Sequence, residues 1–302
     1  MIFRHVVGKS TLTEGLTVHK DFESFFESPE PGKKRDITLI FGAGQSTTAT
    51  LRKLNNARHH VQIKYEKKAN LPLLNWLNDV FEGTRSGIVT GEILEFRKVA
   101  PDVFEIKPIT SKDASNNSLY VARSTYHNAE DVANTDIFGE VTQIVSNIPF
   151  RLNEGQSYYN SELKRQFIKY NWEIEGKAIP ELNLKYDFRK DRLQIEVEFG
   201  NARTYYQDYI KFMLSYNSRQ IDFGMLITPT IEFASTLCEV GKQKALLQGG
   251  KSYSGMMHFE KAYRELDYLK GIFKMPIVIL GIDMSSPASP SPTLKTAHTP
   301  ST

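Results

Sequence analysis

A polar stretch, TSKDASNNS at 110–118, divides this chain into two segments with different hydrophobic patterns. The first segment consists of short β-branched or alternating runs bounded by glycine, asparagine and charged clusters, a pattern typical of strands. In the second, strongly apolar runs alternate with amphipathic patterns of helical period. A chain of 302 residues is long enough for two domains. The sequence therefore predicts a mainly β domain at 1–110, a linker at 111–124 and an α/β domain at 125–284.

The first segment combines several strand patterns with one helical pattern. The helical pattern is LPLLNWLNDVF at 71–81, in which Pro72 falls in the first turn, where proline is tolerated. Many short strands with one or two helices indicate a small barrel. The strand patterns lie at 36–42, 47–54, 60–66, 92–98 and 102–109.

The second segment alternates helices and strands, which indicates an α/β sheet with buried central strands. SELKRQFIKYNWE at 161–173 predicts an amphipathic helix with Leu163, Phe167, Ile168 and Trp172 on one face. The residues at 285–302 are rich in proline, serine and threonine and predict a disordered tail. Further strands are predicted at 183–188, 192–199, 223–230 and 276–282, and further helices at 203–217 and 253–271.

Composition and charge limit the class of protein. No apolar run approaches the ~18 residues of a membrane helix, and the N-terminus lacks a signal-peptide pattern, so we expect no membrane partner. The single cysteine, Cys238, excludes an intramolecular disulfide and a cysteine-rich zinc site, which favours a reduced, cytoplasmic compartment. Residues 1–70 carry 12 Lys and Arg against 7 Asp and Glu, a mild indication of a polyanionic partner.

Three acidic residues surround a short turn in the second segment. Asp187 ends one predicted strand, and Glu196 and Glu198 project from one face of the next. A hairpin through the turn FRKD is expected to bring the three carboxylates together, and carboxylate oxygens are the ligands that Mg²⁺ prefers. Spacing alone leaves a second interpretation open, in which Glu196 and Glu198 form a solvated strand edge and Asp187 is a turn residue.

The segment YDFRKDRLQIEVEFGN resembles the active site of the BglII/BstYI-like restriction endonucleases, members of the PD-(D/E)xK superfamily. YYQDYIKFMLSYNSRQIDFGMLITPT is similar to the helix and next strand of that family, MPIVILGI to its closing strand and YYNSELKRQFIKYNW to an upstream helix. The resemblance covers roughly 150–283. It implies the mixed sheet flanked by helices that this superfamily shares.

The resemblance also implies roles for particular residues. Asp187 and Glu196 are expected to bind the metal, with the backbone carbonyl of Val197 as a third ligand. Glu198 stands at the position of a lysine in most of the superfamily and is expected to act as a general base or as a ligand of a second metal. Glu162, on the preceding helix, is a further candidate acid; the alternative is an exposed helix residue. Whether one or two metals bind stays open.

The activity that this resemblance implies is that of a type II restriction endonuclease. We expect sequence-specific, Mg²⁺-dependent hydrolysis of double-stranded DNA that leaves 5′-phosphate and 3′-hydroxyl ends. A homodimer that acts on a symmetric site and a cognate DNA methyltransferase that protects the host DNA are also implied. An alternative is a DNA-binding protein without cleavage activity. A glycosidase is the least favoured alternative, because Glu196 and Glu198 lie on one strand face and lack the opposed placement of its carboxylates.

The opening segment, FRHVVGKSTLTEGLTVHKDFESFF at 3–26, resembles the B3-like DNA-binding pseudobarrels of plant transcription factors and of the EcoRII effector domain. It departs from that pattern at His19, where the family usually has proline. Such domains bind DNA with two loops beside the barrel, called arms here. Lysines of the arms neutralise phosphates, and small polar residues read base edges. The expected DNA contacts are Lys9, Ser10, Thr11 and Thr13 in the first arm, Lys64, Lys67, Lys68 and Asn70 in the second, and Lys251, Ser252 and Tyr253 in the second domain.

Overall fold

The computed structural model describes residues 2–55, 60–66, 68–82, 84, 90–114, 119–131, 135–200, 205–249 and 255–284. The chain divides into two compact units. One comprises Met1–Ser115, Arg151–Asn153 and Glu239–Lys251, and the other comprises Asn116–Phe150, Glu154–Cys238 and Ser252–Thr302. The predicted tail at 285–302 lies outside the described residues. No helix in the described part of the chain has the length and apolar character needed to cross a membrane.

The first unit is built on a curved seven-stranded sheet. Its spatial order is β1-β6-β7-β3-β4-β5-β2, with every pair antiparallel except β3 and β7. The two edge strands, β1 and β2, are joined by residues 7–14, so the sheet curls until it is nearly closed. This geometry is compatible with the predicted barrel. The elements are β1 (Ile2–Val6), β2 (Gly15–Val18), β3 (Lys34–Phe41), β4 (Gln45–Lys53), β5 (Val61–Lys64), α1 (Leu71–Val80), β6 (Ile93–Ala100), β7 (Val103–Ile109) and α2 (Ser111–Ala114).

Aromatic rings fill the interior of this sheet. Phe3 packs edge-on against Phe26 with ring centroids 5.2 Å apart, and Phe26 lies 4.9 Å from Phe104. Helix α1 contributes the buried side chains of Leu73 and Leu77, at the spacing of one helix face. The core of this unit therefore depends on large apolar side chains from both strands and helix.

The second unit is a mixed α/β structure, as the sequence predicts. Its six-stranded sheet has the order β8-β15-β14-β13-β12-β9, in which β13, β14 and β15 are parallel and the outer pairs antiparallel; β10 and β11 form a separate pair. The elements are β8 (Leu119–Tyr126), α3 (Asp136–Ser146), α4 (Gln156–Lys169), β9 (Glu173–Ile174), β10 (Lys177–Ile179), β11 (Leu184–Lys185), β12 (Phe188–Lys190), β13 (Leu193–Val197), α5 (Tyr206–Asn217), β14 (Phe223–Pro229), α6 (Ile231–Gln248), α7 (Phe259–Leu269) and β15 (Ile277–Met284).

The structure corrects the predicted linker at 111–124. Helix α2 occupies Ser111–Ala114, and β8 begins at Leu119 and pairs with β15 over its whole length. The polar stretch at 110–118 ends before β8. The backbone groups of β8 form hydrogen bonds with a buried strand, so this segment is part of the sheet. The segment that joins the units is thus shorter than expected.

Close packing sets the height of α5 above the sheet. Gly224 of β14 lies beneath the ring of Phe212, and a Cβ at this glycine would stand 2.7 Å from a ring carbon. Only glycine permits this approach without displacement of the ring. The contact holds α5 directly on the strand next to β13, which carries the predicted catalytic residues.

Candidate active site

The predicted hairpin exists and holds Asp187 against the next strand. Strands β12 and β13 pair with Lys190 opposite Leu193, and Asp191 in the turn has a left-handed φ of 51°. This register brings Asp187 back to β13, where its Oδ2 accepts a hydrogen bond of 2.7 Å from the backbone N–H of Val197. Burial raises the pKa of the Asp187 carboxyl, although that hydrogen bond opposes the shift.

Glu196 is buried, which contradicts the interpretation of β13 as a solvated edge. Its side chain is 1% exposed, because β13 lies inside the sheet between β12 and β14. Oε1 accepts a hydrogen bond of 2.9 Å from Gln194 Nε2, and Oε2 lies 2.5 Å from Lys211 Nζ. Burial raises the pKa of Glu196 well above its ordinary value, and the charge of Lys211 opposes that shift.

Glu198 follows β13 directly and is held through its backbone. Its N–H donates to the carbonyl of Ile227 at 2.9 Å, and its own carbonyl accepts from Thr228 Oγ1 at 2.9 Å. The side chain accepts a hydrogen bond from the N–H of Gly200. Burial, with the charges of Asp208 and Asp187, raises the pKa of Glu198 to about 7.

Two residues of α5 lie next to these carboxylates, and the sequence analysis did not predict their position. Asp208 and Lys211 form an i,i+3 ion pair of 2.8 Å, and Lys211 also reaches Glu196. From sequence alone, a lysine on this helix favours the interpretation of a solvated helix face. The signal lies in the helical spacing, because Asp208, Lys211 and Phe212 share the face that packs on the sheet.

A cavity of about 160 Å³ lies beside Asp187. Among the residues that line it are Asn160 and Lys164 of α4, Glu175 and the half-buried Val197. Lys164 forms an ion pair with Glu175. The predicted additional acid, Glu162, is not among the described residues that line the cavity; it pairs instead with Arg165 at 2.6 Å. Glu175 is therefore the acid that faces Asp187 in this cavity.

The expected convergence of three carboxylates on one point is not observed. Among the described residues, no group of three or more His, Cys, Asp or Glu side chains is arranged to hold a metal ion. Asp187 binds the amide of Val197, Glu196 binds Lys211, and Glu198 binds the amide of Gly200. The donor chemistry nevertheless fits a hard cation, because the charge of Asp187 raises the pKa of both Glu196 and Glu198, and carboxylate oxygens are ligands that hard cations prefer.

The predicted DNA contacts of the first unit are only partly exposed. Lys9, Ser10, Thr13 and Lys68 are exposed, and Lys64 is half-buried and lies 3.2 Å from Glu14. The two arms are adjacent, because Gly15 pairs with Lys64 across β2 and β5 and the N–H of Tyr65 donates to the carbonyl of Glu14 at 2.9 Å. Lys67, Lys251, Ser252 and Tyr253 lie outside the described residues.

Two of the predicted contacts have internal roles instead. Thr11 is 0% exposed; its Oγ1 lies 2.9 Å from Nε2 of His5 and accepts a hydrogen bond from the N–H of Gly8. Asn70 is 0% exposed, and its Nδ2 donates to the carbonyls of Thr48 and Glu66. Because neither side chain reaches the surface, we correct the prediction and exclude Thr11 and Asn70 from the DNA contacts.

Comparison with known proteins places the second unit in a family. The family model for restriction endonuclease BglII/BglIII matches residues 122–282. Restriction endonuclease BglII complexed with a DNA 16-mer is 14% identical over 54% of this chain and 75% of that chain, with a TM-score of 0.42. Free BglII is 14% identical over 56% and 82%, with a TM-score of 0.39. The N-terminal domain of Helicobacter pylori LlaJI.R1 is 10% identical over 37% and 82%, with a TM-score of 0.28. No curated protein matches the chain.

Because the family model spans more than half of the chain, the protein belongs to the BglII/BglIII restriction endonuclease family. It is accordingly a type II restriction endonuclease, an enzyme that cleaves DNA at specific sequences. The predicted enzyme class is thus confirmed, and the alternative of a DNA-binding protein without cleavage activity is not favoured.

Proposed function

We propose that the second unit hydrolyses double-stranded DNA in an Mg²⁺-dependent reaction that leaves 5′-phosphate and 3′-hydroxyl ends. One observation carries this proposal. Glu196 is buried and ionically paired on a strand whose next amide, that of Val197, binds the carboxylate of Asp187. Lys211 compensates part of the charge of the two neighbouring acids, and a metal ion would compensate the remainder.

Asp187, Glu196 and the backbone carbonyl of Val197 are the residues that we propose hold the metal. When bound, Mg²⁺ polarises the phosphate and lowers the pKa of a water molecule. The protein fixes the two carboxylates through the hydrogen bonds from Val197 and Gln194. Glu198, held at the end of the same strand, serves as general base or as ligand of a second metal.

The first unit, in this proposal, is a B3-like domain that binds DNA. The exposed side chains of Lys9, Ser10, Thr13 and Lys68, with Lys64, form its two arms. Lys67, Lys251, Ser252 and Tyr253 remain predicted contacts. We further propose that the protein acts in the cytoplasm as a homodimer on a symmetric site, and that a cognate methyltransferase protects host DNA.

Incubation of the purified protein with phage DNA, in Mg²⁺ or in EDTA, tests the reaction. We expect discrete fragments only in Mg²⁺, with ends that DNA ligase rejoins directly because they carry 5′-phosphate and 3′-hydroxyl groups. Phosphatase treatment of the fragments is the control and should prevent ligation. Cleavage in EDTA, or ends that ligate only after phosphorylation, would contradict the proposal.

The triple variant K9A/K64A/K68A is expected to bind DNA more weakly, with a shallower dependence on salt. Each lysine that neutralises a phosphate adds about 0.9 to the slope of log affinity against log salt concentration, so the slope should fall by up to about 3. Fluorescence anisotropy in EDTA measures binding without cleavage. The control is K20A/K33A/K107A, which changes the net charge equally at exposed lysines outside the arms. Equal losses in both variants would exclude a specific role for the arms.

A further inference from the structure

The ammonium group of Lys211 lies between two carboxylates on different elements. Its Nζ is 2.5 Å from Oε2 of Glu196 on β13 and 2.8 Å from Oδ1 of Asp208, one turn earlier on α5. All three side chains are largely buried. Lys211 therefore has two anionic partners, one of which lies on the same helix.

The surroundings of Lys211 hold more negative than positive charge. Burial raises the pKa values of Asp187, Glu196, Glu198 and Asp208, and the charge of Asp187 raises those of the other three further. The charge of Lys211 lowers the pKa of all four carboxyls. Four carboxyls oppose the charge of Lys211 and, at Asp187, that of Lys164, which leaves room for an additional cation.

We infer that Lys211 takes the place of a divalent cation on Glu196 in the metal-free protein, and that its ammonium group moves fully onto Asp208 when the metal binds. This inference rests on the proposed Mg²⁺-dependent function. A lysine suits the role, because its ammonium is a compact charge on a flexible stem. Asp208 keeps the displaced ammonium paired, so the exchange leaves no buried charge uncompensated.

The test is thermal unfolding of the full chain without DNA, as a function of Mg²⁺ concentration. In K211M the apolar stem is retained and the competing ammonium is removed. Because a charge-assisted hydrogen bond no longer opposes the metal, the half-saturating Mg²⁺ concentration should fall at least about tenfold. The rise in Tm at saturation should exceed that of the wild type. K211R retains the charge and should show no such gain.

Lys164 offers a matched control. It is a lysine of the same unit whose charge also acts on Asp187, but it pairs with Glu175 and not with Glu196. K164M should therefore change the half-saturating concentration much less than K211M. If the two variants behave alike, the general electrostatic field explains the effect and the inference is overturned.

D208N provides a second variant, which keeps the test decisive if K211M does not fold. Without its second anionic partner the ammonium stays on Glu196, so the half-saturating Mg²⁺ concentration should rise; an unchanged value overturns the inference. An Mg²⁺ response of K211M equal to or below that of the wild type also overturns it and leaves the proposed function intact. If Mg²⁺ stabilises neither protein, the Mg²⁺-dependent function itself fails.

Discussion

Replacement of Glu196 by glutamine is expected to lower the rate of DNA cleavage by at least about a hundredfold, the loss typical of removing one electrostatic stabiliser of a transition state. The substitution keeps the volume of the side chain. Its amide oxygen can accept the hydrogen bond that Lys211 donates, and its amide nitrogen can donate to Oε1 of Gln194 once the Gln194 amide turns over. What it removes is the negative charge, which the proposed metal site requires. Single-turnover cleavage of a DNA fragment with one site measures the effect.

Two controls separate this loss from damage to the fold. E173Q neutralises an exposed acid of the same unit that pairs with Arg189, and it should cleave as the wild type does. The thermal stability of E196Q in EDTA should stay close to that of the wild type, because Lys211 keeps its ion pair with Asp208. A folded E196Q enzyme with a cleavage rate within threefold of the wild type would contradict the assignment of Glu196.

The part of the site that the sequence predicts is the part formed by neighbouring residues. Asp187, Glu196 and Glu198 belong to a single hairpin, so alternation and a short turn suffice to place them near one another. The sequence of β13 does not by itself predict that this strand is buried. Gln194 and Glu196 look like the solvated face of an edge strand until β14 and α5 are known to cover them.

The residues that the sequence does not predict depend on tertiary contacts. Asp208 and Lys211 reach the site because Gly224 lets α5 approach β14, and neither position alone reveals that packing. In the same way, Thr11 and Asn70 are polar residues of loops, which are usually exposed, yet each is buried by hydrogen bonds to distant backbone or side-chain groups. A polar residue is therefore not always exposed, because its side chain can form hydrogen bonds with buried groups.

The sequence also does not reveal the longest helix, α6, at Ile231–Gln248. Its buried apolar residues, Phe233, Leu237 and Val240, are followed by Leu246 and Leu247, which are exposed, so its apolar residues do not form a single buried stripe. A test for period 3.6 therefore gives a weak signal.

Acidification is expected to destabilise the first unit through His5. Burial lowers the pKa of His5 from 6.5 to about 4, so the folded state disfavours the proton that the unfolded state accepts. A histidine whose folded pKa is lowered contributes stability above its unfolded pKa, and this stability is lost as the pH falls towards the folded value. At 1.36 kcal/mol per pKa unit, the free energy of unfolding should fall by about 3 kcal/mol between pH ~6.5 and ~4.

Hydrogen exchange of peptides from the first unit, read by mass spectrometry across this pH range, measures the loss in that unit separately. The His5→Gln variant should lack this part of the pH dependence even if it is less stable throughout, because glutamine has no proton to gain. His127→Gln, which alters a histidine of the second unit bound to the carbonyl of Lys270, should keep it. Since His5 contacts Thr11, protection should weaken first in residues 7–14, which carry Lys9, Ser10 and Thr13 of the first arm. Equal pH dependence in His5→Gln and the wild type would show that His5 does not carry the acid sensitivity.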